Sequence, residues 1–223
     1  MHIGIIGDII NSKKIKNRDE VQIKLKSILN SINDEYKDSI AANFIITLGD
    51  EFQGLLTSPE KLMEIIDKIR IEIYPIKIRF GIGIGEIVTE INKEMAIGAD
   101  GPAYHIARKM IDDLKVSNKA NSKISTSGNI KISLSNYNII IELINSNLNL
   151  CELIEDRWSE KQRELISKII YKKISQREVA EEIGITQSSV QRRLKSSGYY
   201  DYINSRNTIN RALAELWGEY CAD

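Results

Sequence analysis

Apolar and polar positions follow two periods along this chain, and the periods divide it into elements. Residues 2–10 form an Ile-rich run that closes at Asp8 and the polar pair Asn11-Ser12, the pattern of a buried strand ending in a turn. From residue 17 to 36 the apolar positions Val21, Ile23, Leu25, Ile28, Leu29 and Ile32 settle into helical spacing, which predicts an amphipathic helix. Residues 43–48 and 51–56 are short β runs across Gly49-Asp50, a hairpin signal. Ser58-Pro59-Glu60 combines a Ser N-cap, Pro at the first helical position and an early acid, predicting a helix to about Ile71. Residues 76–88 alternate Ile or Phe with Gly, Lys and Arg, as a strand does. Gly81, Gly83 and Gly85 inside it predict close approach of another backbone. A helix over 101–115 with Pro102 near its start, a short strand at 122–126 and a connecting helix over 136–156 follow, although NYNIIIELI also fits a strand.

The order β-α-β-β-α-β, then α and β, predicts an α+β fold of the ferredoxin-like palm type: one antiparallel sheet with helices on one face. Residues 1–130 form this palm, 131–157 a connecting segment, and 158–223 a separate all-α unit. A 42% hydrophobic share with 28% charge excludes an intrinsically disordered chain. No run of about 18 apolar residues predicts a membrane span. The N-terminus has no basic stretch before its apolar run, and Asp8 interrupts that run, so no signal peptide is expected and the cytoplasm is the expected compartment. Cys151 and Cys221 lack the spacing of a zinc site or a disulfide scaffold. The net charge of zero is uneven: −2 over Met1–Arg157, +5 over Trp158–Arg211 and −3 over Ala212–Asp223.

Asp8 ends the first strand and Asp50 sits at the hairpin tip, and in a palm sheet those strands are neighbours. Two such carboxylates, with Glu51 as a third ligand, suit a hard cation, Mg2+ or Mn2+, that would neutralise triphosphate oxygens. The other reading is of two turn aspartates following Gly7 and Gly49.

The basic segment carries its own pattern. After a helix over 158–171, Ala180 precedes Gly184 by four residues and Val190 follows it by six. That is helix-turn-helix spacing: a small residue where helices meet, glycine at the positive-φ turn, and an apolar residue packing the second helix back. Ser175 and Thr186 are the expected caps. The second helix offers Gln187, Ser188, Ser189, Gln191, Arg192 and Lys195, side chains suited to bases and phosphates. A trihelical protein-interaction unit with a solvated basic face is the other reading.

Several strings resemble known families. LGDEF, Leu48 to Phe52, resembles the GGDEF hairpin of diguanylate cyclases without its first glycine, and ITLGDEFQGLL resembles the hairpin of class III nucleotide cyclases. IRFGIGIGEI and GADGPAYHIARKM resemble two further cyclase segments. Taken in order, IIGDIINSKK, LGDEFQG, GIGIGEI and DGPAYHIAR resemble the SatD family, bacterial proteins ending in a helix-turn-helix, over nearly the whole chain. The segment from Trp158 to Thr186 resembles the DNA-binding region of sigma factors.

The resemblance implies nucleotide binding around Asp8, Ile9, Gly49, Asp50 and Gly101, with catalytic positions at His105, Arg108 and Lys109. It implies a homodimer, because the cyclases complete their sites between two chains. The chain departs from the cyclase pattern where substrate is read. With Gly101 aligned, His105 stands in place of the ribose-positioning Asn, Lys109 in place of the transition-state Arg with Arg108 one residue early, and Ile46 in place of a base-reading Lys. His105 also fits an ordinary helix histidine, and Arg108 a structural ion-pair partner. The expected function is a DNA-binding regulator whose palm binds a nucleotide with a divalent metal. The alternatives are an active nucleotidyl cyclase or related phosphodiester-forming enzyme, and an adaptor whose palm only dimerises.

Overall fold

The computed structural model describes residues 1–117, 128–136, 138–171 and 174–221. The elements run β1 His2–Ile9, α1 Arg18–Glu35, β2 Ile40–Leu48, β3 Glu51–Leu56, α2 Leu62–Ile73, β4 Ile78–Gly85, α3 Pro102–Ser117, β5 Ile130–Leu134, α4 Ile139–Glu155, α5 Glu160–Tyr171, α6 Gln176–Glu182, α7 Gln187–Ser196 and α8 Tyr199–Cys221. The protein is thus α+β, with one five-stranded mixed sheet in the order β2-β3-β1-β4-β5. All neighbouring pairs are antiparallel except β4 with β5. A parallel pair needs a crossover, and α3 supplies it. The strand expected at 122–126 lies outside the described residues; the strand pairing in parallel with β4 is Ile130–Leu134. Within the segment from 136 to 156, Ile139–Glu155 is a helix, not a strand. No helix among the described residues is long and apolar enough to cross a membrane.

The expectation of helices on one face is corrected. Strand alternation sends Phe80, Ile82 and Ile84 to one face, where they share a core with Leu25, Leu29 and Ile32 of α1 and Ile65, Ile66 and Ile69 of α2. α3 covers the opposite face. The reason is the glycine alternation in β4. A Cβ at Gly83 would sit 2.0 Å from the Ala103 carbonyl oxygen, and one at Gly81 would sit 2.2 Å from that of Ala107. Hydrogen on one side of the strand and Ala on the facing helix let α3 lie almost backbone to backbone on the sheet. The close approach read from the sequence is therefore real, and it brings in a second layer.

One start signal was misleading. α2 begins at Leu62 with Lys61 at its cap and no side-chain cap bond. The Pro59 carbonyl accepts the Leu62 N–H at 3.0 Å, so Ser58-Pro59-Glu60 forms a turn before the helix.

The C-terminal helices share both cores. Trp158, Leu165, Ile166, Val179, Ala180, Val190, Leu194 and Tyr202 bury one another in a small cluster. Ile209, Leu213 and Leu216 of α8, together with Ile141, Ile144 and Leu148 of α4, belong instead to the core under the sheet. Between the two cores runs a buried ionic seam. Arg70 of α2 lies 3.0 Å from Glu155 and 3.4 Å from Glu152 of α4, and Arg163 of α5 lies 2.9 Å from Glu155. Glu152 also accepts the Asn129 backbone N–H at 2.6 Å. Arg206 of α8 pairs with Asp67 of α2. Burial pushes the Cys151 thiol above its ordinary value, against the opposing hydrogen bond to Ser205. Cys151 is thus a small packed side chain rather than a nucleophile.

Candidate functional site

The register of three central strands sets the chemistry at one end of the sheet. Asp8 of β1 stands opposite Glu51 of β3 on one side and Arg79 of β4 on the other. Residues opposite one another on a ladder share a face, and here it is the face under α3. That helix brings Arg108 and Lys115, two turns apart on one side. Asp8 Oδ2 accepts from Arg79 Nη1 at 3.0 Å, and its Oδ1 lies 3.1 Å from Lys115 Nζ. Glu51 accepts a fork from Arg108, Nη1 to Oε2 at 2.5 Å and Nη2 to Oε1 at 2.6 Å. This fork holds the Arg108 guanidinium above its ordinary pKa against the pull of desolvation, with the charges of Glu51, Asp112 and Asp8 adding to it. The carboxylate side chains are about 10% exposed, whereas those of Arg108 and Lys115 are 43% and 41% exposed. Buried acids are thus balanced by cations reaching in from solvent.

The other sequence-derived positions scatter around this cluster. Asp50 turns its carboxylate to the Ser12 hydroxyl, and its backbone carbonyl accepts the Ile9 N–H at 3.0 Å. Ile9 itself is buried in the core on the α1 and α2 side. Gly49 takes φ 56°, the left-handed geometry of a tight hairpin turn, and its carbonyl accepts from Gln22. Gly101 precedes α3, and its carbonyl accepts the Tyr104 and His105 N–H groups at 3.1 Å. His105 is exposed and lies 2.8 Å from Asp100, not in the cluster. Lys109 is exposed on another side of α3. The structure therefore brings Asp8, Glu51 and Arg108 together and leaves His105 and Lys109 apart. Two members were missed from sequence. Arg79 had a legible signal, since it alternates with Gly81 and Gly83 and so faces the same way. Lys115 had a weaker one, two helical turns beyond Arg108.

The donor set decides how a metal would fit. Among the described residues, no group of three or more His, Cys, Asp or Glu is arranged to hold an ion. Asp8 and Glu51 are register partners and offer hard oxygens, but both are engaged by this chain's own cations. A hard cation bound by both carboxylates would have to displace Arg108 from Glu51 and Arg79 or Lys115 from Asp8.

The second candidate surface is on α6 and α7. Ser175 closes a reciprocal capping box with Glu178. Gly184 turns at φ 68°. The Thr186 side chain accepts the Ser189 N–H and caps α7. Ala180 and Val190 are buried between the helices. Gln187, Ser188, Gln191, Arg192 and Lys195 are exposed along α7, while Ser189 is half-buried with its hydroxyl 2.9 Å from that of Thr186. Arg192, Arg193 and Lys195 have no ion-pair partner among the described residues. Replacing Ser175 with Ala is expected to cost about 1 kcal/mol, read as a lower urea midpoint at unchanged m-value.

Fold and site together define the class: an α+β protein with a cation-balanced carboxylate cluster at one end of its sheet and a capped helical pair near its C-terminus. The chain belongs to the SatD family, whose model matches residues 2–213. No curated protein matches the chain.

Proposed function

We propose that this protein is a DNA-binding regulator whose sheet unit, a ferredoxin-like palm similar to that of nucleotide cyclases, binds a nucleotide with a divalent metal. The observation that carries the reading is the α6–α7 pair. Its capping box, left-handed Gly184, buried Ala180 and Val190, and exposed unpaired cations on α7 are the features by which a helix-turn-helix presents a reading helix to the major groove. Gln187 and Gln191 suit base edges, Ser188 and Lys195 suit phosphates, and Arg192 suits either. The strand order β2-β3-β1-β4 supports the palm assignment. For the nucleotide, Arg79, Arg108 and Lys115 supply cations, and Asp8 and Glu51 could share the ion that accompanies a triphosphate. The altered substrate-reading positions favour sensing over catalysis.

Fluorescence anisotropy on promoter and random duplexes tests the DNA reading. Binding is expected at low salt, weakening steeply as salt rises. Replacing Arg192 and Lys195 with Ala is expected to lower the magnitude of the salt slope by about 2 if each neutralises one phosphate. No binding at low salt sinks the reading. Calorimetry with each NTP and Mg2+ tests the nucleotide arm, with loss expected on Lys115→Ala and Asp8→Ala. The enzyme alternative is favoured by the pairing of Asp8 with Glu51 beneath Arg108. It is judged by product analysis after incubation with each NTP and Mn2+, where a product lost on Asp8→Ala supports it.

A further inference from the structure

α4 leaves an apolar stripe uncovered. Ile139, Ile140, Leu143, Leu150 and Leu153 are between 39% and 64% exposed, on a helix whose opposite side is buried. Four of the five, with the exposed Ser146 between them and Arg157 beyond the helix end, follow alternating steps of four and three: 139, 143, 146, 150, 153, 157. That is the a/d spacing of a helix seam packing against another helix. The exposed parts of the five apolar side chains amount to roughly 500 Å², as large as the biggest patch of a typical monomer. At Leu150 and Leu153 the stripe opens into a cavity of about 500 Å³, also lined by Arg157, Ser197 and Gly198.

We propose that this stripe is the interface between two copies of the chain, with α4 packed antiparallel against α4 of the second copy. Charge chooses the occupant. α4 has no Lys or Arg, and its Glu152 and Glu155 are buried, so the surface from Leu143 to Leu153 carries no charge. DNA finds nothing there to neutralise. A copy of the same face meets it without like-charge repulsion. Antiparallel pairing stacks Leu143 of one copy on Leu153 of the other and places Ser146 against Leu150, whereas parallel pairing in register would set Ser146 against Ser146 and Arg157 against Arg157. Area agrees: doubled by symmetry, the apolar positions alone reach about 1,000 Å², the threshold for a specific interface.

Sedimentation equilibrium of the full chain without DNA or nucleotide tests this apart from the functional reading. A dimer of 25.4 kDa chains is expected at about 100 μM. Leu150→Lys is expected to weaken the dimer about 100-fold or more with an unchanged far-UV circular dichroism spectrum. Ile23→Lys, at a comparably exposed apolar position on α1, should leave it intact. A monomeric wild type overturns the proposal, and so does a dimer indifferent to both Leu150→Lys and Leu143→Lys. Reduced dimer on Ile23→Lys also counts against it.

Discussion

Arg70→Met is expected to be among the most destabilising single substitutions in this chain, at about 3–5 kcal/mol. Arg70 is held between Glu152 and Glu155, and both carboxylates are buried. Methionine fills much of the same volume but leaves those charges with less compensation. Arg163 still reaches Glu155, and Asn129 still donates to Glu152, so the seam would be weakened rather than emptied. Urea unfolding reads the loss as a lower midpoint. Adding Glu152→Gln to Arg70→Met should recover part of it, because the amide removes the charge most dependent on Arg70. If Arg70→Met lowers stability by less than about 1 kcal/mol, the size of an ordinary surface or single-contact effect, the seam is not the structural joint described.

Gly83→Ala is the second large effect. The added methyl would fall 2.0 Å from the Ala103 carbonyl oxygen and 2.7 Å from the Ala107 amide nitrogen, both backbone atoms of α3. No rotamer change relieves such a contact, so the helix must lift. A cost of about 3 kcal/mol would lower the thermal midpoint by roughly 6–12 °C in a chain of this size. Gly4→Ala meets the same helix at 3.1 Å and should cost less. Gly218→Ala, in α8 with nothing within 4 Å, should leave the midpoint unchanged or raise it. Thermal scans giving the order Gly83 below Gly4 below Gly218 would bear out the backbone-to-backbone packing. Equal midpoints would contradict it.

Features decided locally were legible before the structure. Ser175, Gly184 and Thr186 act within one turn of chain, and each took the role its residue type predicts. Gly81 and Gly83 signalled a close neighbour because strand alternation leaves few other uses for glycine there. What local pattern does not specify is which layer fills that space, and α3 came down on the face thought open. Partners of Asp8 were hidden for the same reason. Arg79 is 71 residues away and meets Asp8 only through sheet register. Arg108 could be read as ligand or ion-pair partner, and its fork to Glu51 appears only once both faces of the sheet are assigned. Ser58 misled because a turn uses the same residues as a helix start.

The path of α8 limits how this protein can be taken apart. Its first turn closes the small C-terminal core through Tyr202, and further along it buries Ile209, Leu213 and Leu216 beneath the sheet. Between them, Arg206 pairs with Asp67. A fragment cut at Arg157 would therefore carry three large apolar side chains and an unmatched guanidinium into water, and the remaining sheet would lose part of its floor. The C-terminal helices are expected to unfold together with the sheet, in one transition rather than two.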